Sequence, residues 1–270
     1  MSNSWSDIFA ALPQGEAAIR YGIAFTPRSG STWLGDVLSR SGLLGMPREY
    51  FNPEAAGPTL TSSACTNFPD YYQYLKIVKQ ANGVFGFEVN WPRLNSIIGE
   101  NHWPLFEDIN AWFFLRREDF VAQAVSLFKA IQSGVFHSHD GKKARQPVVY
   151  DGGKIAEAVF TLMNSEYQLS QHFKEFGITP VELWYEHIVP LAPVDVVKLF
   201  AERLQITLGA DDVQRLAAMT PKLKKIGDST NTELADRFRG EHRELVDYWQ
   251  EARGTETCRS FRSQRAQYRR

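Results

Sequence analysis

An apolar run, Tyr21-Gly22-Ile23-Ala24-Phe25, leads directly into Thr26-Pro27-Arg28-Ser29-Gly30-Ser31-Thr32 and then into Trp33-Leu34. Few folds accommodate that order. The apolar run is a buried strand candidate, the small residues and Pro27 make a turn, and Trp33, Leu34, Val37 and Leu38 recur at helical spacing. A strand–turn–helix unit points the backbone N–H groups of the turn and the positive end of the helix dipole at one spot, which is an anion site. A nucleoside triphosphatase loop would read G-x-x-x-x-G-K-[ST]. Here the first Gly is absent, Pro27 occupies part of the turn, and Arg28 supplies the charge before Ser29-Gly30-Ser31-Thr32. The expected ligand is phosphate-like, held without the usual Lys and magnesium. The competing reading is an ordinary βα connection, where Gly, Ser and Pro are common.

The same alternation continues along the chain. Ile19–Phe25 reads as the first strand, with Ser31 or Thr32 capping the following helix and Gly42 and Gly45 ending it. Met46–Phe51 reads as extended, residues 54–69 as a loop, and Tyr71–Gln80 as an amphipathic helix with an exposed Lys side. Further strands are expected over Gly83–Val89, Ile109–Leu115 and Ile178–Trp184, and helices over Glu118–Ile131, Lys154–Phe176, Val194–Leu204 and Asp211–Met219. The predicted fold is α/β and P-loop-like, with three layers and a central, mostly parallel sheet flanked by helices on both faces. We expect one domain over residues 1–270, its core at about 20–240 and flexible ends at 1–15 and 255–270.

With 30 Lys and Arg against 31 Asp and Glu, the net charge of −1 gives no bulk attraction to nucleic acid or an anionic membrane. Any anion must be bound by a local cluster. Cys65 and Cys258 share no metal-type spacing, and no signal peptide or bilayer-spanning run is evident, so the simplest reading is a reduced, cytoplasmic protein. No metal is expected; His102, His172 and His242 lack partner spacing, and His137 and His139 lie in a basic connection.

Three further groups bear chemistry. Arg116-Arg117 follows the third strand, where ligands bind in open α/β sheets, and Ser126 lies up the next helix. Taken alone, the Arg pair reads better as solvated and paired with Glu118 and Asp119. Glu49, in Pro47-Arg48-Glu49-Tyr50-Phe51-Asn52, has the chemistry of a general base, although a lone loop Glu is more often a surface residue. Asp236-Arg237-Phe238-Arg239, preceded by Lys222, Lys224 and Lys225, either closes over a nucleotide or forms a solvated charged helix.

The segment Thr26–Leu34 resembles the 5′-phosphosulfate loop of sulfotransferases that use 3′-phosphoadenylyl sulfate (PAPS). The chain as a whole is most similar to the bacterial carbohydrate sulfotransferases typified by mycobacterial trehalose 2-sulfotransferase. The blocks that carry the resemblance, in order, are the loop, Gly45–Phe51, Asn82–Gly86, Arg117–Gln132 and, more weakly, Asp236–Arg239. The resemblance implies that Arg28, Ser29, Gly30, Ser31, Thr32 and Trp33 hold the 5′-phosphosulfate and that Arg117 and Ser126 hold the 3′-phosphate. Arg237 and Arg239 would add cofactor contacts, with PAP (3′-phosphoadenosine 5′-phosphate) as the released product. Glu49 and Arg28 would be the catalytic pair, acting on a hydroxyl of a carbohydrate or glycolipid, in a homodimer. This chain has Gly86-Phe87-Glu88 where the trehalose enzyme has Gly-Gly-Lys, which argues for a different acceptor. The alternative is a P-loop-like kinase relative or non-catalytic nucleotide-binding regulator, with partner binding through loop 140–145 a more distant third.

Overall fold

A computed structural model describes residues 15–53, 65–135, 148–220 and 229–253. The expectations for residues 54–64, for His137, His139 and the basic run to Arg145, for Lys222, Lys224 and Lys225, for Cys258 and for both chain ends lie outside the described residues. In chain order the elements are β1 (Ile19–Phe25), α1 (Ser31–Ser41), α2 (Phe68–Val78), β2 (Val84–Asn90), α3 (Trp91–Gly99), a 3-10 turn (Trp103–Phe106) and β3 (Ala111–Arg116). They continue with α4 (Phe120–Ser133), α5 (Gly152–Glu175), β4 (Val181–Trp184), α6 (Tyr185–Ile188), α7 (Pro193–Arg203), α8 (Ala210–Ala217), α9 (Ser229–Glu241) and α10 (Arg243–Ala252). The chain divides into two compact units, one holding Gly30–Leu115 and Thr179–Leu223 with the residues up to Phe25, the other holding Thr26–Ser29, Arg116–Ile178 and the residues from Lys224 onward.

The first unit contains the sheet, in strand order β2-β1-β3-β4. β1 runs parallel to both neighbours, with Ile23 opposite Glu88 on one side and Phe113 on the other. Parallel strands need helical crossovers, so both sheet faces are covered and the strands read as continuous apolar runs. On one face Tyr21, Ile23, Phe25, Phe113 and Leu115 pack with Leu34, Val37 and Leu38 of α1 and Val197 and Phe200 of α7. Phe113 stacks on Phe200 at 3.9 Å. The other face is aromatic: Phe85 meets Tyr72 of α2, and Phe87 meets Phe51, Phe106 and Trp112. This is the expected three-layer α/β arrangement. Two glycines permit it. A Cβ on Gly22 would collide with the Trp112 indole, and one on Gly86 with the Tyr21 phenol, whose hydroxyl donates to the Leu44 carbonyl at 2.7 Å.

The second unit is helical. Phe120, Val121, Ala124, Val125 and Phe128 of α4 pack with Ile155, Val159 and Leu162 of α5 and with Phe238, Leu245 and Trp249 of α9 and α10. Asp119 caps α4 by accepting from Ala122 N at 2.9 Å.

Several local expectations are corrected. Neither Ser31 nor Thr32 caps α1; the N-cap is Gly30, in the left-handed region with φ 92°, and it offers no side-chain bond. Residues 46–51 are irregular rather than extended, because Tyr50 N bonds to Arg48 O and Asn52 N to Glu49 O, closing tight turns. The helix expected over Tyr71–Gln80 runs instead over Phe68–Val78, capped by Asn67, whose side chain accepts from Asp70 N. Its Lys76 is buried rather than exposed, held 2.6 Å from the Glu16 carboxylate. Arg116 is turned inward rather than solvated: its guanidinium meets the buried Glu166 carboxylate.

Candidate functional site

Neither the loop Thr26–Ser29 nor the first turn of the helix that follows carries a carboxylate. Ser29 N bonds back to Thr26 O at 3.2 Å, closing the turn, and Arg28 sits in the left-handed region with φ 67°. The Ser29 hydroxyl is fully buried and has no hydrogen-bond partner. A buried hydroxyl left unsatisfied is costly, which fits a group that meets a ligand oxygen. From Gly30 onward, α1 begins without a side-chain cap and without an acidic residue in its first turn, leaving N–H groups and the dipole free to favour an anion. A Cβ on Gly30 would come within 2.5 Å of Tyr185 Cδ2, and its φ also demands glycine. Among the described residues no cluster of His, Cys, Asp or Glu could hold a metal ion.

Within the helical unit, Arg28 Nε donates to Ser126 Oγ at 3.0 Å. The residues expected to serve the two ends of the nucleotide thus meet directly. Arg117 follows β3, and its carbonyl accepts from Arg253, which also donates to Glu118 O at 2.9 Å and to Glu166 Oε2 at 3.0 Å. Arg253, Glu166 and Arg116 form a largely buried charge network under the Arg117 backbone. Arg237 pairs with Glu241 at 2.7 Å and lies 3.8 Å over the Tyr150 ring. Arg239 binds both oxygens of Asp119, at 2.7 and 2.8 Å, and also Asp236. Both guanidiniums are therefore engaged in carboxylate contacts that steady α9 and the start of α4.

The carboxylate belongs to the sheet unit. Glu49 lies half-buried in the turns after α1, where Asn52 Nδ2 donates to Glu49 Oε2 at 3.3 Å and Arg93 Nη2 in turn donates to Asn52 Oδ1 at 3.3 Å. Arg93 is placed by Asn90, which caps α3. Burial pushes the Glu49 carboxyl above its ordinary value, with Asn52 and Arg93 pulling the other way. A raised carboxyl is what a general base needs to work near neutral pH.

Glu88, read from the sequence only as a departure from the Gly-Gly-Lys of the trehalose enzyme, is the one acid inside an otherwise apolar stretch, Val84-Phe85-Gly86-Phe87-Glu88-Val89, and sequence reasoning did not foresee its burial. Its N–H donates to Arg48 O at 2.9 Å, tying the Glu49 segment to β2. Its Oε1 is buried without a partner beneath Gly35 of α1, where any Cβ would overlap it. Burial holds the Glu88 carboxyl well above the ordinary range, the Glu49 charge adds to this, and Arg48 opposes it. The folded state therefore binds a proton that the unfolded chain releases near pH 4.5. Stability should be fullest below that pH and fall above it, by up to about 1.4 kcal/mol per pH unit, until the folded carboxyl itself ionises. Glu88→Gln should remove that slope. Urea midpoints compared at pH 4 and pH 7.5 check this: the variant should match the parent at the lower pH and exceed it at the higher, and parallel behaviour would refute it.

A parallel sheet whose first strand is followed by a glycine-capped helix defines a P-loop-like α/β protein. The profile of the Stf0 sulphotransferase family matches residues 20–241, and the chain belongs to that family. It is an enzyme, a sulfotransferase. It is 25% identical over 260 residues to a trehalose 2-sulfotransferase of Mycobacterium tuberculosis, covering 82% of this chain and 94% of that relative. It is 24% identical over 261 residues to a trehalose 2-sulfotransferase of Mycolicibacterium smegmatis, covering 81% and 94%. Against the solved sulfotransferase domain of the Synechococcus PCC 7002 olefin synthase it is 16% identical, covering 84% of this chain and 90% of that one at a TM-score of 0.49. No helix among the described residues is long and apolar enough to cross a membrane.

Proposed function

We propose that this sulfotransferase moves the sulfonate group of PAPS to a hydroxyl of a carbohydrate or glycolipid by in-line displacement, releasing PAP. Arg28 and the donors from Ser29 to Trp33 hold the 5′-phosphosulfate, and Arg117 and Ser126 hold the 3′-phosphate. Arg237 and Arg239 contribute from the charged helix α9. The observation that carries this reading is the 3.0 Å bond between Arg28 and Ser126, which ties a residue of the anion loop to a residue of the second phosphate anchor. As the acceptor attacks, charge builds on the leaving phosphate, and a preorganised guanidinium with backbone N–H groups stabilises it. Glu49 takes the acceptor proton. The transferred group carries one charge fewer than a phosphoryl group, which fits a loop that relies on arginine rather than a metal.

The matched relatives are named for trehalose. Gly86-Phe87-Glu88, in place of the Gly-Gly-Lys of that enzyme, supports a different sugar acceptor here. One sulfotransferase domain over about residues 20–240, a homodimeric state and a cytoplasmic location complete the proposal. Calorimetric titration tests the 3′-phosphate assignment. PAP should bind about ten- to a hundred-fold tighter than adenosine monophosphate, matching roughly 1.5–3 kcal/mol for a charge-assisted contact. Equal affinity for the two nucleotides would remove Arg117 and Ser126 from the donor site.

A further inference from the structure

Gln123 is a polar side chain in the apolar stripe of α4, flanked by Phe120, Val121 and Ala124, and only 1% exposed. Its amide Nε2 donates to Thr26 Oγ1 at 2.9 Å and to Pro27 O at 2.8 Å, so both of its hydrogens reach the anion loop. Thr26 is fully buried. One turn further along α4, on the same face, Ser126 accepts from Arg28 Nε. One helix therefore grips three consecutive loop residues, two by the backbone or a short side chain and the third by its guanidinium.

The grip has a clear physical purpose. Arg28 has φ 67°, a conformation that strains a non-glycine residue and persists only where the surroundings over-determine it. The two bonds from Gln123 fix the residues immediately before Arg28, and the turn bond from Ser29 N to Thr26 O fixes the residue after it. An apolar residue of the same length would fill the space but leave the loop to choose its own backbone conformation.

We propose that Gln123 is a positioning residue for the donor site: it sets the backbone on which Arg28 is aimed and acts on the nucleotide only through Arg28. The proposal rests on the reading of Arg28 as a donor ligand. It predicts a dependence that simple structural support would not show. Gln123→Met should weaken PAP binding about ten-fold, as expected for loss of two neutral hydrogen bonds that order the loop. In an Arg28→Ala background the same change should have less than about a two-fold effect, because coupled residues are non-additive. Thr26→Val, which removes one of the two acceptors without touching α4, should give a smaller loss with the same dependence on Arg28. It serves where the Met variant does not fold.

Calorimetry with PAP on the four proteins of the cycle decides the matter. Unchanged PAP affinity in a folded Gln123→Met or Thr26→Val protein would overturn the role of Gln123, as would an equal fold-loss with and without Arg28. If Arg28→Ala alone leaves PAP affinity unchanged, the donor-site reading itself falls.

Discussion

Glu49→Gln should lower sulfonate transfer by about 10²- to 10⁴-fold, the usual contribution of a positioned general base, and leave PAP affinity unchanged. The amide keeps the size of the carboxyl and still accepts from Asn52, so the turn that holds it has no reason to rearrange. What it loses is the capacity to take a proton. The assay is transfer of labelled sulfonate from PAPS to a panel of oligosaccharides and lipid-linked sugars, with PAP binding measured in parallel. The pH profile adds a second readout. Burial raises the Glu49 carboxyl, and a base is inactive once protonated, so activity should fail on the acid side at a pH above that of an ordinary glutamate. The residual activity of the Gln variant should lack that limb. Undiminished turnover, or an unchanged acid limb, would remove Glu49 from the mechanism.

Arg28→Ala should reduce kcat by about 10²- to 10³-fold, the loss typical of removing one preorganised stabiliser of developing charge. Arg28→Lys should recover only part of it. A lysine keeps the charge but lacks the planar guanidinium whose Nε donates to Ser126. Single-turnover rates at saturating PAPS separate this from weakened donor binding. If kcat is unchanged and only KM rises, Arg28 binds the donor without assisting the chemical step.

Much of this architecture is legible in the sequence because it rests on local rules. β1 and β2 are mostly apolar runs with turn formers beside them, and their limits fall at or within one residue of expectation. The left-handed Gly42 at the end of α1 follows from glycine chemistry alone. The departures have a common cause. Ser31 and Thr32 satisfy the rule for a helix cap, yet the turn that begins at Thr26 places Gly30 in that position. Lys76 reads as exposed by helical periodicity, but Glu16, distant in sequence, holds it inside. Arg116 reads as half of a solvated pair, whereas Glu166, fifty residues later, claims it.

The sequence by itself determined the strand–turn–helix, the absence of an acid or the triphosphatase lysine from its turn, and Arg28 as the turn's cation. These depend on residues adjacent in the chain, whose backbone preferences act before any long-range contact forms. Only the tertiary structure decided that Gln123 and Ser126 grip the loop. It alone buried Glu88 beneath Gly35 and tied it to the Glu49 segment, and it alone engaged Arg237 and Arg239 with carboxylates of their own unit. Those contacts join residues up to 120 positions apart in sequence. Their partners are selected by packing and by the cost of burying an unsatisfied polar group, neither of which can be evaluated until the chain has folded.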